Sequence, residues 1–282
     1  MLRTIQFSVV FALVLLAGTA QAGVFTGPTS EYYLANYNIA RIDVVQGTSV
    51  VRSFAANAGS GNLHDGRLAV TSTVNTTGFG SYYGAASGGQ YSLAGVPTGV
   101  VYPASPTPGF STEFTFDGTS DGTHNYSVHD MQNGGINSVI AYGLDWQNPT
   151  ALFPVGDYSV GIAYDPDNNS LWVGNYSGVM SDYALDGTLL SSFSTGTSIT
   201  ALAYDPADHT LWYSVDQGST LNQYSTSGTL LQSGTISGLS GNFLSGEFAV
   251  SASNATSVPE PASMALLGVG LAGLLALRRQ RG

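Results

Sequence analysis

The chain has 282 residues and a formal net charge of −11, with seven basic residues, all of them arginines, against 18 acidic ones. Nucleic-acid binding requires clustered Lys and Arg, so this charge balance excludes it, and it argues against docking on anionic lipid. The absence of cysteine excludes disulfides, while 36 glycines and only 9% charged residues favour short strands and tight turns over long amphipathic helices.

The first segment, residues 1–22, has the pattern of a secretory signal peptide. An apolar core runs from Phe7 to Ala17, and Ala20 and Ala22 form an A-x-A cleavage site. We therefore expect the mature chain to begin near Gly23, outside the cytoplasm.

The body, residues 23–253, retains three arginines and 17 acidic residues, a net charge of −14. This acidic surface suits solubility in a polysaccharide matrix or contact with divalent cations. Its length is enough for one domain with a real core. Three strands are predicted at its start, over Glu31–Tyr37, Ile39–Val45 and Ser49–Phe54.

Two divergent four-strand units are predicted next, from short runs of β-branched and aromatic residues between turn residues. The strands of the first unit are Arg67–Val74, Gly80–Tyr83, Gln90–Leu93 and Gly99–Tyr102. Those of the second are Thr112–Phe116, Asn125–His129, Ser138–Asp145 and Ala151–Phe153.

The strongest internal signal is a repeat of about 40 residues. The segment 162–173 recurs as 202–213, and both copies contain Tyr-Asp-Pro followed by Leu-Trp. The turn sequence Asp186-Gly187 recurs as Ser227-Gly228, each followed by Thr-Leu-Leu. A period near 40 with four strands per unit predicts the blades of a β-propeller.

A last strand, Gly246–Ser251, would complete the blade that the three N-terminal strands begin. Pairing the end of the chain with its start closes the ring and removes free sheet edges. The sequence thus predicts an all-β fold, a β-propeller of about five four-stranded blades. A β-sandwich is the alternative, because short and evenly spaced strands also allow it.

The C-terminal segment, residues 254–282, has three parts in order. Val258-Pro259-Glu260-Pro261 is held extended by its prolines. The uncharged run Met264–Leu277 follows, which predicts a helix of about 21 Å that is short for a bilayer crossing. The cluster Arg278, Arg279 and Arg281 follows and should remain on the cytoplasmic side.

This order of Pro-Glu-Pro, short hydrophobic helix and arginine cluster resembles the PEP-CTERM sorting signal of Gram-negative bacteria. The resemblance implies recognition by an exosortase, cleavage near the Pro-Glu-Pro sequence and transient membrane association through the C-terminal helix. It also implies export to the outer surface or extracellular matrix, linked to exopolysaccharide and biofilm. A plain C-terminal membrane anchor is the alternative.

The repeated Tyr164-Asp165-Pro166 and Leu171-Trp172 resemble those of extracellular β-propeller proteins. Because propellers host many functions, this resemblance implies a fold and no activity. Trp172 and Trp212 recur at the same repeat position, which indicates packing between blades more than a sugar platform. The position of Trp146 is left open.

The densest polar cluster surrounds Asp117 and Asp121, each followed by glycine, with His124 and His129 nearby. The two aspartates are the candidate metal ligands and could wrap a calcium ion, although a glycine-rich hairpin loop also explains the pattern. No other cofactor is indicated.

The sequence favours a non-enzymatic protein of the cell surface or matrix, associated with exopolysaccharide. The alternative is a propeller lyase or hydrolase that acts on extracellular glycans, with Asp117, Asp121, His124 and His129 near a central metal.

Overall fold

The computed structural model describes residues 24–36, 39–56, 65–78, 87–103, 114–130 and 137–249. The predicted signal peptide and sorting segment lie outside these residues. Within them there are twenty β-strands and no helix, hence no helix able to cross a membrane. The strands are β1 (Tyr32–Asn36), β2 (Arg41–Gln46), β3 (Ser49–Ala55), β4 (Asp65–Val70), β5 (Thr73–Gly78), β6 (Gly88–Ser92), β7 (Pro97–Tyr102), β8 (Phe114–Ser120), β9 (Asn125–Asp130), β10 (Ser138–Tyr142), β11 (Thr150–Pro154), β12 (Ser159–Asp165), β13 (Ser170–Asn175), β14 (Val179–Ala184), β15 (Leu189–Ser194), β16 (Ile199–Asp205), β17 (Thr210–Val215), β18 (Thr220–Ser225), β19 (Leu230–Thr235) and β20 (Phe243–Phe248).

The strands form five antiparallel four-stranded sheets, which are the blades of a propeller. From the axis outwards, blade 1 is β20-β1-β2-β3, blade 2 is β4–β7, blade 3 is β8–β11, blade 4 is β12–β15 and blade 5 is β16–β19. The innermost strands contact one another in the cyclic order β4, β8, β12, β16, β20 and back to β4. The predicted five-bladed β-propeller is therefore confirmed, and the β-sandwich alternative is not adopted.

Ring closure joins the two ends of the body within blade 1. Strand β20 pairs antiparallel with β1, so that Tyr32 lies opposite Phe248, and their rings stack with centroids 4.6 Å apart. This pairing is the predicted combination of three N-terminal strands with one C-terminal strand. Strand β20 begins at Phe243, three residues earlier than predicted.

The hydrophobic core consists of six clusters in the described residues, and five of them lie one at each blade interface. The sixth joins the inner strands of three blades through Phe116, Val160 and Leu244. Trp172 of blade 4 packs with Ile199 and Leu202 of blade 5, and Trp212 of blade 5 packs with Leu34 of blade 1. Both tryptophans are buried, which confirms the predicted packing between blades.

Turn glycines let the outer strand of one blade approach the next blade closely. Phe153 of β11 lies against Gly187, and Phe193 of β15 lies against Gly228. Both glycines have positive φ, 86° at Gly187 and 85° at Gly228. A Cβ added at Gly187 would lie 2.6 Å from the Cβ of Phe153, and one added at Gly228 would lie 2.7 Å from the ring of Phe193. The repeated turn sequence is thus a packing element as well as a hairpin.

The structure corrects one strand of blade 2. Residues 67–74 were predicted as one strand, but a turn at Thr71 and Ser72 divides them between β4 and β5. That turn contains no Gly, Pro, Asn or Asp, and Ser72, a weaker turn former, is its one signal. The segment Gly80–Tyr83, predicted as the second strand, lies outside the described residues.

Candidate functional site

Each of the five innermost strands has one edge without a neighbouring strand, and that edge faces the propeller axis. Backbone N–H groups on such an edge need other acceptors when they are buried. Asp117 of β8 supplies them. Its Oδ1 accepts from Gly118 N at 2.9 Å and Gly246 N at 3.0 Å, and its Oδ2 accepts from Ile162 N at 3.1 Å and Leu202 N at 2.8 Å.

Ser245 extends this network to the remaining blade. Its hydroxyl donates to the Asp117 carboxylate and accepts from Leu68 N of blade 2 at 3.0 Å. The four N–H donors on Asp117 come from blades 3, 1, 4 and 5. One carboxyl group therefore links all five blades, directly or through a single hydroxyl.

The Asp117 side chain is fully buried. Burial raises the pKa of Asp117 to about 8, while the hydroxyl of Ser245 and the backbone N–H groups oppose that rise by stabilising the charged form. Because both oxygens accept from donors, a proton on this carboxyl would have to displace one of them. The geometry suits a carboxylate that holds the ring together.

A cavity of about 310 Å³ opens at one end of the axis. Every blade contributes to its wall. Its lining residues are Thr71, Ser72, Ser120, Asp121, Gly122, Tyr164, Pro166, Tyr204, Pro206 and Glu247. The repeat places the Tyr-Asp-Pro segments of blades 4 and 5 side by side in this wall, so the cavity has a largely apolar, aromatic and proline surface.

Glu247, the penultimate residue of β20, is the buried acid of this cavity. It is only 5% exposed, and among the described residues its Oε2 has no hydrogen-bond partner. The Thr119 hydroxyl donates to the carboxyl group and accepts from Tyr164 N at 3.0 Å. Burial, reinforced by the nearby Asp117, raises the pKa of Glu247 well above its usual value.

Asp121, the second predicted metal ligand, also lines the cavity, but its oxygens are engaged. Oδ1 accepts from Thr123 N and His124 N, both at 2.6 Å, and from the Thr123 hydroxyl at 2.7 Å. Oδ2 accepts from the Tyr126 hydroxyl at 2.7 Å. These hydrogen bonds outweigh burial and lower the pKa of Asp121. Asp121 thus caps the turn between β8 and β9.

The structure separates the four members of the predicted polar cluster. Asp117 is buried on the axis, Asp121 lies in the turn, His124 is exposed and His129 is buried in β9. In the described ranges, no group of three or more His, Asp or Glu side chains is placed to hold a metal ion. The calcium site stays a prediction. Calcium titration tests it, with binding heat and a raised melting temperature expected in the parent and lost in Asp121→Asn.

A second polar group joins blades 4 and 5 beside the cavity. The hydroxyl of Tyr204 donates to Asp167 Oδ2, and His209 Nδ1 lies 2.5 Å from the same oxygen. The hydrogen bond from Tyr204 lowers the pKa of Asp167, and that with His209 adds to this. These contacts hold Tyr204, a blade 5 residue in the cavity wall, against Asp167 of blade 4.

Trp146, whose role was left open, is fully buried between blades 2 and 3. Its ring packs against Tyr142 with centroids 5.7 Å apart, and the Arg67 guanidinium lies 5.3 Å from both ring centroids. Trp146 is therefore a core residue that shields a buried arginine.

Sequence analysis missed Glu247 and Ser245. The one available signal is an acidic residue in the otherwise uncharged strand Phe243–Phe248. An isolated acid predicts nothing by itself, because its partners come from strands far apart in the chain.

Comparison with known proteins identifies the C-terminal segment. The model of the PEP-CTERM protein-sorting motif matches residues 257–280. The chain carries a PEP-CTERM sorting motif. The motif indicates a protein sorted by an exosortase, exported, and anchored in the membrane by its C-terminus before processing. No curated protein matches the chain.

Solved structures resemble the chain in fold. A chain in the crystal structure of a nidogen/laminin complex is 10% identical, with a TM-score of 0.52 over 79% of this chain and 99% of that one. Myxococcus xanthus glutaminyl cyclase is 12% identical, with a TM-score of 0.41 over 79% of each chain. A luciferin-regenerating enzyme is 13% identical, with a TM-score of 0.45 over 74% of this chain and 77% of that one. At these identities the likeness concerns the fold alone.

The PEP-CTERM motif is attached at the cavity end of the ring. Glu247 lines the cavity, β20 ends one residue later at Phe248, and Ala249 is the last described residue. Residues 250–256 then separate the body from the motif. Seven residues span at most about 25 Å. The motif therefore begins within about 25 Å of the cavity end of the ring.

Proposed function

We propose that this chain is a non-enzymatic protein of the cell surface or extracellular matrix that associates with exopolysaccharide. The PEP-CTERM motif at residues 257–280 is the observation that carries the proposal, because it assigns the protein to exosortase sorting and export. The fold supports a binding role. Strand β20 pairs with the edge of β1 and closes the ring, which presents an axial cavity.

The fates of the candidate catalytic residues also favour a non-enzymatic role. The carboxylate of Asp117 is saturated by backbone donors from four blades, and that of Asp121 is saturated within its own turn. Neither oxygen pair is free to act on a substrate without first breaking contacts that hold the fold.

The test combines processing with localisation in the native host. Mass spectrometry of the native protein should find a C-terminus near Pro259, with Arg278–Arg281 removed. The processed protein should co-fractionate with exopolysaccharide and be released when the polysaccharide is digested. A processed protein that remains soluble in the medium, with no polysaccharide bound, would contradict the matrix role.

A propeller enzyme acting on extracellular glycans is the second candidate, and Glu247 favours it. A buried acid with a raised pKa in a cavity is a common feature of catalytic sites, and Asp121 in the same cavity has a lowered pKa. Two carboxyl groups with opposite shifts can serve as acid and base in glycoside cleavage. Activity on purified polysaccharide that disappears in both Glu247→Gln and Asp121→Asn would establish this function.

A further inference from the structure

We propose that the axial cavity binds a small organic ammonium group, with its positive charge at Glu247 and its ring or chain between Tyr164 and Tyr204. Polymer-bound or free aminosugars and simple amines share this chemistry. The inference deepens the proposed function and rests on it only for the biological source, which would be an exopolysaccharide containing free amino groups.

The unpartnered oxygen of Glu247 is the first observation. A buried polar atom without a partner is destabilising, and of the atoms of this kind in the described residues it is the one whose side chain lines the cavity. Oε2 is itself buried, so an ammonium group reaches it when the Glu247 carboxyl turns towards the cavity. Its three N–H donors then supply the missing hydrogen bond, and its charge favours the ionised form of the carboxyl. The Thr119 hydroxyl and the Phe248 backbone N–H already donate to this carboxyl group.

The sign of the charge around the cavity is the second observation. Glu247 and Asp121 line it and Asp117 lies close to Glu247, whereas no arginine is among the ten lining residues. The body of the chain contains no lysine. A cavity with acids and without bases attracts cations and repels carboxylates, phosphates and uronic acids.

The wall and volume of the cavity define the rest of the ligand. Tyr164, Tyr204, Pro166 and Pro206 offer apolar and aromatic surface to a ring or short chain. Aromatic rings also attract organic cations. A volume of about 310 Å³ is at the lower end for small-molecule sites, which fits one sugar-sized ring.

Titration calorimetry of the purified full-length protein tests the proposal with matched pairs of probes. Glucosamine is compared with glucose, and cyclohexylamine with cyclohexanol. We expect each amine to bind at least about tenfold more tightly than its neutral partner, because the charge-assisted hydrogen bond is present only in the amine. Tighter binding of glucosamine than of cyclohexylamine would indicate a sugar source, and the reverse a simple amine.

Glu247→Gln keeps the side-chain size but cannot ionise beside an ammonium group, so it should weaken amine binding about tenfold or more. Asp186→Asn is the matched control, since it removes one negative charge from an exposed turn of blade 4 and should leave binding unchanged. Equal binding of amines and neutral partners, no binding of either amine, or unchanged affinity in Glu247→Gln would overturn the proposal.

The same variants separate this inference from the proposed function. Co-fractionation with exopolysaccharide is measured for Glu247→Gln and the parent. Loss of co-fractionation in the variant supports the inference. If the variant still co-fractionates as the parent does, the exopolysaccharide is not the source of the ammonium group and the matrix role stands, while calorimetry decides whether the cavity binds amines. If the parent itself does not co-fractionate, the matrix role fails, and calorimetry alone decides the inference.

Discussion

Replacing Asp117 by asparagine tests the axial network most directly. Asparagine keeps the shape of the side chain but changes one acceptor oxygen into an NH₂ donor. If that nitrogen takes the place of Oδ2, the N–H groups of Ile162 and Leu202 lose their acceptor. The opposite orientation leaves the N–H groups of Gly118 and Gly246 without one.

Either orientation leaves two buried donors unsatisfied. At about 1–3 kcal/mol for each, the expected loss is about 2–6 kcal/mol. Since a domain is typically stable by only about 5–15 kcal/mol, this is a large part of the total. Urea denaturation at about pH 9, above the pKa of about 8 of Asp117, followed by tryptophan fluorescence measures the loss as a lower midpoint with an unchanged slope.

Ser245→Ala provides the internal comparison, because it removes the acceptor of one N–H group, that of Leu68, and should cost about 1–3 kcal/mol. A stability of Asp117→Asn within about 0.5 kcal/mol of the parent would refute the reasoning. It would mean that the carboxyl is protonated and already acts as a donor, as an amide does.

Three further predictions address pH, turn packing and sorting. Burial raises the pKa of Glu247, so the folded protein holds this proton more tightly than the unfolded chain, and stability should fall as the pH rises above about 4.5. Glu247→Gln should flatten that fall in urea midpoints measured between about pH 5 and 8, and an unchanged slope would contradict it. Gly228→Ala should cost about 1–3 kcal/mol from its positive φ, plus the contact with Phe193. Gly122→Ala measures the backbone strain alone, because Gly122 has a φ of 84° and nothing lies within 4 Å of the added Cβ. Equal losses of stability in the two variants would exclude a role for the Phe193 side chain. Replacement of both Pro259 and Glu260 by alanine should leave Arg278–Arg281 on the protein in mass spectra, whereas normal processing would show that the Pro-Glu-Pro sequence is not read.

The sequence predicted blades 4 and 5 well because their features are local. Asp-Pro fixes the turn, Leu-Trp fills the interface between blades, and Gly187 and Gly228 allow the outer hairpins. The turn at Thr71 and Ser72 was missed because Ser and Thr favour turns only weakly and no Gly, Pro, Asn or Asp accompanies them. Closure of the ring was predictable, since three strands at one end required a fourth.

The candidate site was less accessible to sequence reasoning. Asp117 stood out by composition, but its contacts come from residues 45, 85 and 129 positions away, which no local pattern contains. The cavity arises because the turns of four blades meet the end of β20 at one end of the axis, and Glu247 is significant only as their shared neighbour. The residue types indicate which acids could be functional. The arrangement of the inner strands around the axis decides that Asp117 is the one at the centre of the ring.

The order of synthesis gives blade 1 a further significance. Its inner strand, β20, is among the last parts of the body to be synthesised, and the PEP-CTERM motif follows it in the chain. A chain interrupted before Phe243 lacks both the strand that completes the ring and the sequence that permits sorting. A chain that carries the motif has therefore already acquired the strand that closes the ring, so a chain truncated within the propeller would not be sorted by the exosortase.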